Sequence, residues 1–453
     1  MSLSVEVVAT PELGDRSYVV HDGSSAVVVD PQRDVDRIDS VLEARSVECA
    51  VVVETHVHND YVTGGLVLAR RTGADYIVAG AEAAAFPCGA LADGTDLDVG
   101  DMVLTAVATP GHTDGHMAYV VTSGDAPAAV FTGGSLLYGS VGRTDLVDPR
   151  RAEELARAQF RSARRLAATL PQDSLLFPTH GFGSFCSARP DSGVDSGTLG
   201  DELRVNDVFA DDDEATFSSR LVAGFVPYPR YYVHMGPLNL SGPGPADLGP
   251  PHLVDARGLR GHLDAGDWVV DLRDRDSFAA GHVAGTVNVP LDGQFATRLG
   301  SVMPWGAPLV LVAASLEEVA AAQRQLARIG IDRPAAAAVG APDVLAPDGR
   351  RRSYPCASFD QLASARRAGE AMVVLDVREG YERAAGAIQG SVHMPWTEVA
   401  SMTRQAGQGR LWVHCAAGAR AGVAASVLAR DGHDVVLVDD DFRHAVASGL
   451  AST

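Results

Sequence analysis

The run Ala50-Val51-Val52-Val53-Glu54-Thr55-His56-Val57-His58-Asn59-Asp60-Tyr61 decides the fold. Ala50–Glu54 reads as a buried strand, short and apolar. It leads directly into two imidazoles spaced two apart. On a loop leaving a strand, such a pair can point at one ion, and the Asp60 carboxylate adds charge compensation. The pattern recurs downstream. A strand at Met102–Ala108 ends at Pro110-Gly111-His112, one at Ala128–Thr132 ends at Gly133-Gly134, and one at Leu175–Pro178 ends at Thr179-His180. Polar residues therefore collect where strands stop, which is where open α/β sheets place their sites. A single histidine would be read as a satisfied surface or core residue. His56, His58, Asp60, His112 and His180 together predict a metal site. Further strands are expected near Val5–Val8, Tyr18–Val20 and Ala26–Asp30, and helices at Asp36–Ala44, Gly64–Arg71 and Ala152–Leu170.

From Asp201 to Pro251 the helical signals weaken and a Pro/Gly-rich run, SGPGPADLGPP, follows, the composition of a linker. An internal repeat fills the rest. Asp271-Leu272-Arg273 recurs as Asp376-Val377-Arg378, Gly281 and Gly285 as Gly386 and Gly390, and Pro290 as Pro395, all at one offset. Two related α/β units are expected. The second contains Leu411-Trp412-Val413-His414-Cys415-Ala416-Ala417-Gly418-Ala419-Arg420, which runs strand, cysteine, tight loop, helix. Successive N–H groups at a helix N-terminus stabilise a thiolate or persulfide anion, Arg420 adds positive charge, and small residues let the loop curl. A buried structural cysteine is the bland alternative. A cysteine-dependent phosphatase would place its arginine six residues after the cysteine, where this chain has Ala421. In the first unit Ala313 falls at the cysteine position, with no loop glycine or arginine, so that unit carries no persulfide. Cys186, close in sequence to His180, is expected to pack, with an approach to the metal pocket as the alternative, and Cys356 to lie exposed between the repeats.

The chain has 453 residues, 46% hydrophobic and 21% charged, an ordinary globular balance. At roughly 150 residues per domain, three domains or two with one large are expected. A net charge of −21 disfavours a phosphate backbone, so no nucleic-acid partner is expected. No apolar run reaches the roughly 20 residues that cross a bilayer. The N-terminus lacks a basic segment followed by an apolar core, and five scattered cysteines do not make a disulfide framework. A reduced, cytoplasmic protein without a membrane partner is the expectation.

The ordered histidines resemble the metallo-β-lactamase superfamily, an αββα sandwich. Within it, Phe131-Thr132-Gly133-Gly134-Ser135-Leu136-Leu137 and Gly142-Arg143-Thr144-Asp145 resemble the persulfide dioxygenases, which use one Fe(II) and O2 to oxidise glutathione persulfide to sulfite. Leu375–Glu379 and the Cys415 loop resemble a rhodanese domain. The implied fold is α/β: residues 1–205 a metallo-β-lactamase-like domain, 206–255 a helical, Pro/Gly-rich connector, 256–350 an inactive rhodanese-like domain, and 351–453 an active one.

The resemblance implies iron ligands at His56, His112 and an aspartate, but Gly134 stands at the aspartate position. The face could instead use His56, His58 and His112, with Asp60 swinging in. Tyr61 stands where the superfamily has a second-site histidine, which argues against a two-metal hydrolase. Arg143, Tyr61 and Gly418 are the expected substrate contacts, with a salt bridge inside Gly142–Asp145 as the alternative for Arg143. The expected activity is oxidation of a low-molecular-weight persulfide at one Fe(II) per chain (zinc being the other candidate), coupled to transfer through a Cys415 persulfide, with O2, sulfite and thiosulfate as partners. The superfamily often dimerises, which makes a homodimer an expectation. The alternatives are a sulfurtransferase with an inert metal domain, a glyoxalase II-type thioester hydrolase, and a non-catalytic sulfur carrier or redox sensor.

Overall fold

Val27, Val29, Val51 and Val53 face Met102, Leu104, Tyr119, Val121 and Phe131 in one cluster, while Val28 and Val52 face Ile38, Leu42, Leu66 and Leu68 in another. Side chains alternate across a strand, so the valine runs must be covered on both faces. They are. The structure, a computed structural model, describes residues 3–80, 83–211 and 213–452. A five-stranded sheet runs in chain order through Ser4–Thr10, Asp15–His21, Ser25–Val29, Glu48–Glu54 and Asp75–Val78. A six-stranded sheet takes Gly197–Thr198, Leu175–Pro178, Ala129–Gly133, Met117–Thr122, Met102–Ala108 and Asp96–Val99 in that order. Helices Asp36–Arg45 and Gly65–Thr72 cover the outer face of the first sheet. Helix Ala152–Thr169 covers the second through Phe160, Ala163 and Leu166. The layers are αββα.

Residues 206–247 are helical, as expected, but they belong to the first domain and are not a connector. They form helices Asp207–Ala210, Glu214–Ala223 and Tyr232–Ser241. Val208 and Phe217 are buried in the core under Ala152–Thr169, and this apolar anchorage makes the stretch part of the first domain. The chain divides into one unit of Met1–Asp247 with Ala327–Gly330, and another of Leu248–Leu326 with Ile331–Thr453.

The second unit holds both repeats. One parallel sheet is ordered Val287–Asn288, Trp268–Asp271, Leu309–Ala313, Ala336–Val339. The other is ordered Cys356–Ala357, Val435–Val438, Arg410–His414, Met372–Asp376, Val392–His393. The repeated residues have one physical job. Arg273 donates to Asp271 at 2.7 Å and to the Gly281 carbonyl at 3.0 Å. Arg378 donates to Asp376 at 2.6 Å and to the Gly386 carbonyl at 2.8 Å. Register pairs Asp271 with Val312 and Asp376 with His414, which puts Ala313 in the place of Cys415.

Candidate metal centre and sulfur-transfer loop

Asp30 gathers the strand ends of the first domain. It follows strand Ser25–Val29 with φ of 50°, and its carboxylate accepts from Thr55 N at 2.7 Å and Thr55 Oγ1 at 2.8 Å. Thr179 Oγ1 donates to the same carboxylate. One buried side chain therefore ties together the loops that carry His56 and His180. Burial alone would raise the Asp30 carboxyl, but His58 and the hydrogen bonds from Thr179 and Thr55 hold it below its ordinary value.

The imidazoles are oriented from behind. His112 Nδ1 donates to the Arg143 carbonyl at 2.7 Å, which leaves its buried Nε2 as a lone pair without a partner. His180 Nδ1 lies 2.8 Å from Asp15 Oδ1 and 3.2 Å from Asp60 Oδ2. His56 Nε2 and His180 Nε2 face each other at 3.3 Å. Two nitrogens about 2.1 Å from one tetrahedral metal would lie about 3.4 Å apart. Imidazoles backed by carbonyls and carboxylates are the usual way that a protein aims metal ligands. Donor atoms of His56, His58 and His180 come within 4.8 Å of one another, as do those of His112, His180 and Cys186, and those of Asp15, Asp60 and His180. His180 is the pivot of all three groups. The expected face of His56, His58 and His112 is not such a group; His180 takes the shared position. The residues fit a divalent metal, since Asp60 Oδ1, His58 Nδ1 and His112 Nε2 are all buried without partners.

Burial pushes His112 down to about 3 and His56 well below the ordinary imidazole value, so both offer lone pairs. His180 and His58 go the other way. Burial would lower them, but Asp60 and Asp15 raise His180 to about 10, and Asp30 and Glu54 raise His58 to about 9. Burial and the Asp60 charge push Asp15 up to about 7.

The expected substrate contact of Tyr61 is corrected here, and for Arg143 the alternative, a salt bridge inside Gly142–Asp145, is the reading that forms. Tyr61 is fully buried, stacked on His58, with its hydroxyl 3.0 Å from His58 Nε2 and donating to the Asp30 carbonyl at 3.2 Å. It positions His58. Arg143 is buried, and each of its guanidinium nitrogens is in use: Asp145 takes 2.6 and 2.8 Å bonds, the Phe185 carbonyl one at 3.3 Å and the Val226 carbonyl one at 2.9 Å. Its side chain braces the loop and its own carbonyl aims His112. Gly134 has no room for a side chain while His112 stays in place, because a Cβ there would overlap that ring. Its N–H instead donates to His116 Nε2 at 3.0 Å. Asp15, Asp30, Glu54 and His116 carry roles that the sequence reading missed. For Cys186 packing is the first expectation and an approach to the metal pocket the alternative; its sulfur lies within the group of His112 and His180.

Beside these loops a cavity of about 510 Å³ is lined by Val57, Thr113, Leu146, Tyr228, Val233 and Leu240 among others.

In the second unit Cys415 is buried just past strand Arg410–His414, and residues 415–418 turn the chain into helix Ala419–Arg430. Gly418 has φ of 83°, and a Cβ there would overlap the Asp439 carboxylate. Its role is conformational: only glycine permits this turn at low cost. No side chain caps the helix N-terminus at Gly418. Arg420 is held by Glu382 through bonds of 2.6 and 2.8 Å. Burial would lower the Arg420 pKa, but Glu382 and the Cys415 sulfur raise it, so its charge is fixed beside the loop. Burial lowers His414, beside Cys415, to about 4.

The pattern of the metallo-β-lactamase superfamily matches residues 12–180, and that of the rhodanese-like domain matches 358–446. The hydroxyacylglutathione hydrolase of Acidiphilium cryptum is 33% identical over 38% of this chain and 68% of its own. The mitochondrial persulfide dioxygenase ETHE1 of Homo sapiens is 29% identical over 38% of this chain and 63% of its own. A crystal structure of a metallo-beta-lactamase from Staphylococcus aureus shares the fold with a TM-score of 0.66, covering 75% of this chain and 99% of that one at 24% identity. No helix among the described residues is long and apolar enough to cross a membrane. The chain belongs to the metallo-β-lactamase superfamily and carries a rhodanese-like domain toward its C-terminus.

Proposed function

We propose that this protein processes sulfane sulfur: Cys415 carries the sulfur as a persulfide, and the first domain oxidises a low-molecular-weight persulfide to sulfite. The observation that carries this reading is the uncapped, small-residue loop around Cys415, with a charge-fixed Arg420 beside it. A persulfide anion on Cys415 would lie against free N–H dipoles. Its terminal sulfur can then pass to sulfite, with the Cys415 thiolate leaving with the bonding pair and thiosulfate as product.

In the first domain His180 would hold the metal together with His56 and His58, with His112, Cys186 and Asp60 beside them. A divalent iron held by these residues would supply the O2 chemistry that oxidises the persulfide sulfur. The chain's own part is orientation. Arg143 O and Asp15 aim the imidazoles, and the cavity at Val57, Tyr228 and Leu240 seats the thiol portion in an apolar setting. Each oxidation uses one O2 and one water per terminal sulfur and releases the thiol. Tyr61, at the expected second-metal position, disfavours a thioester hydrolase.

A second reading, a sulfurtransferase whose metal domain is inert, is favoured by Gly134, where the resembled dioxygenases place a carboxylate and this chain has no space for one. O2 uptake with glutathione persulfide separates the two, using Fe(II)-loaded and metal-free protein. The expected result is iron-dependent uptake with sulfite formed. No uptake alongside intact sulfur transfer would select the second reading.

A further inference from the structure

The repeat without a thiol is one wall of the Cys415 site. Helix Ala419–Arg430, which leaves the loop, packs on it. Asn288 N donates to Ser426 Oγ at 2.9 Å, both residues being buried. The Arg430 guanidinium lies 4.7 Å from the Trp268 ring. Arg275, first residue of helix Arg275–Ala280, lies across the loop side of this contact. A Cβ at Gly422 would lie 3.4 Å from Arg275 Cβ and Cδ, and one at Gly418 would lie 3.2 Å from Arg275 Nε. The Arg275 guanidinium therefore sits over the glycine that shapes the Cys415 loop. Its Nε donates to Asp439 at 2.8 Å. Its two terminal nitrogens have no partner among the described residues, and the side chain is 36% exposed. The hydrogen bond to Asp439 raises its pKa, against the effect of burial.

We propose that Arg275, supplied by the thiol-less repeat, is the oxyanion-binding and specificity-determining residue of the Cys415 site, selecting thiosulfate and sulfite over uncharged sulfur donors and acceptors. The chain has no lysine, so a permanent cation at this mouth must be an arginine. Arg420 is committed to Glu382, whereas Arg275 presents a free fork suited to two oxygens of one anion. In the forward step the Cys415 thiolate attacks the outer sulfur of thiosulfate. The sulfur–sulfur bond breaks, sulfite leaves with the bonding pair, and Cys415 retains the outer sulfur as a persulfide anion. Arg275 would hold the sulfonate oxygens before and after the break. Asp439 keeps the guanidinium in place, as a positioning residue.

This inference rests on Cys415 being the transferring thiol, and the test separates the two. Full-length Arg275→Ala and Arg275→Lys are assayed with thiosulfate and with dimethyl trisulfide, an uncharged donor. The ratio of kcat/KM for thiosulfate to that for the trisulfide should fall about tenfold or more in Arg275→Ala, the loss of one or two charge-assisted hydrogen bonds. Arg275→Lys should restore part of it. An unchanged ratio would overturn the proposal. Calorimetric titration of thiosulfate into Cys415→Ser, with and without Arg275→Ala, gives a readout that needs no turnover. Binding that depends on Arg275 in a chain whose wild type transfers no sulfur would sustain the anion site and refute the Cys415 reading. Binding equal in both chains, or absent from both, would overturn the anion site itself.

Discussion

The two C-terminal repeats share a register and an Arg–Asp–Gly clamp, yet they differ in the few residues after one strand. In the second, residues 415–418 separate strand from helix, and no side chain caps the helix. In the first, only residues 314–315 separate strand Leu309–Ala313 from helix Leu316–Arg328. There Glu318 accepts from Ala314 N at 2.8 Å and Ser315 Oγ from Glu318 N at 3.2 Å. The helix N-terminus of the first repeat is thus satisfied by its own side chains, and that of the second is left for a ligand. Counted from the aligned Val312 and His414, the second loop is one residue longer, and the difference teaches that the two units part company in this loop and in what caps it, while the surrounding sheet is common to both.

The comparison can be broken most completely at the thiol. Cys415→Ser should abolish thiosulfate:cyanide sulfur transfer while leaving metal content unchanged, as read by cyanolysis and elemental analysis; residual transfer would remove Cys415 from the mechanism. The turn comes next. Gly418→Ala places a Cβ against Asp439 in a left-handed conformation that costs about 1–3 kcal/mol, so transfer should drop more than tenfold and the melting temperature should fall. Wild-type rates in that variant would mean the loop does not need its glycine. The comparison is sharpened by Ala313→Cys. A thiol in the first repeat, placed at a self-capped helix, should add no transfer to the Cys415→Ser chain, and recovered activity would show that the loop is dispensable.

A metal-free chain should lose stability as pH rises. His180 and His58 have folded pKa values of about 10 and 9, above the ordinary imidazole value of about 6.5. The stabilisation they gain from Asp15, Asp60, Asp30 and Glu54 is full below about 6.5 and is lost as pH climbs through 9 and 10. Melting temperatures of the metal-free and metal-loaded chains, taken between pH 7 and 10, should converge least at the alkaline end. A flat profile for the metal-free chain would contradict these protonated imidazoles. His112→Ala, removing a lone pair that nothing else uses, should lower bound metal in the loaded chain.

Much of this was legible in the sequence because the signals were local. Apolar runs ending in Thr55-His56, Gly111-His112 and Thr179-His180 gave the strand ends, and Cys415 with its small neighbours gave the loop. What escaped depended on partners far away. Asp15 meets His180 across 165 positions, and Asp30 meets Thr179 across 149. Neither acid stands in a motif. Tyr61 was placed in the right loop but given the wrong task, since only packing reveals that the phenol is buried, and for Arg143 only packing decides between a substrate contact and the alternative salt bridge inside Gly142–Asp145, which is the one that forms. The stretch 206–247 read as a connector because its anchors, Val208 and Phe217, are few and widely spaced.

The most direct test of the account is the intact mass of the full chain after thiosulfate and removal of excess donor, followed by peptide mapping. The account predicts a gain of one sulfur atom located on Cys415 and absent from Cys415→Ser. A sulfur found on Cys186, Cys356 or no cysteine at all would contradict it.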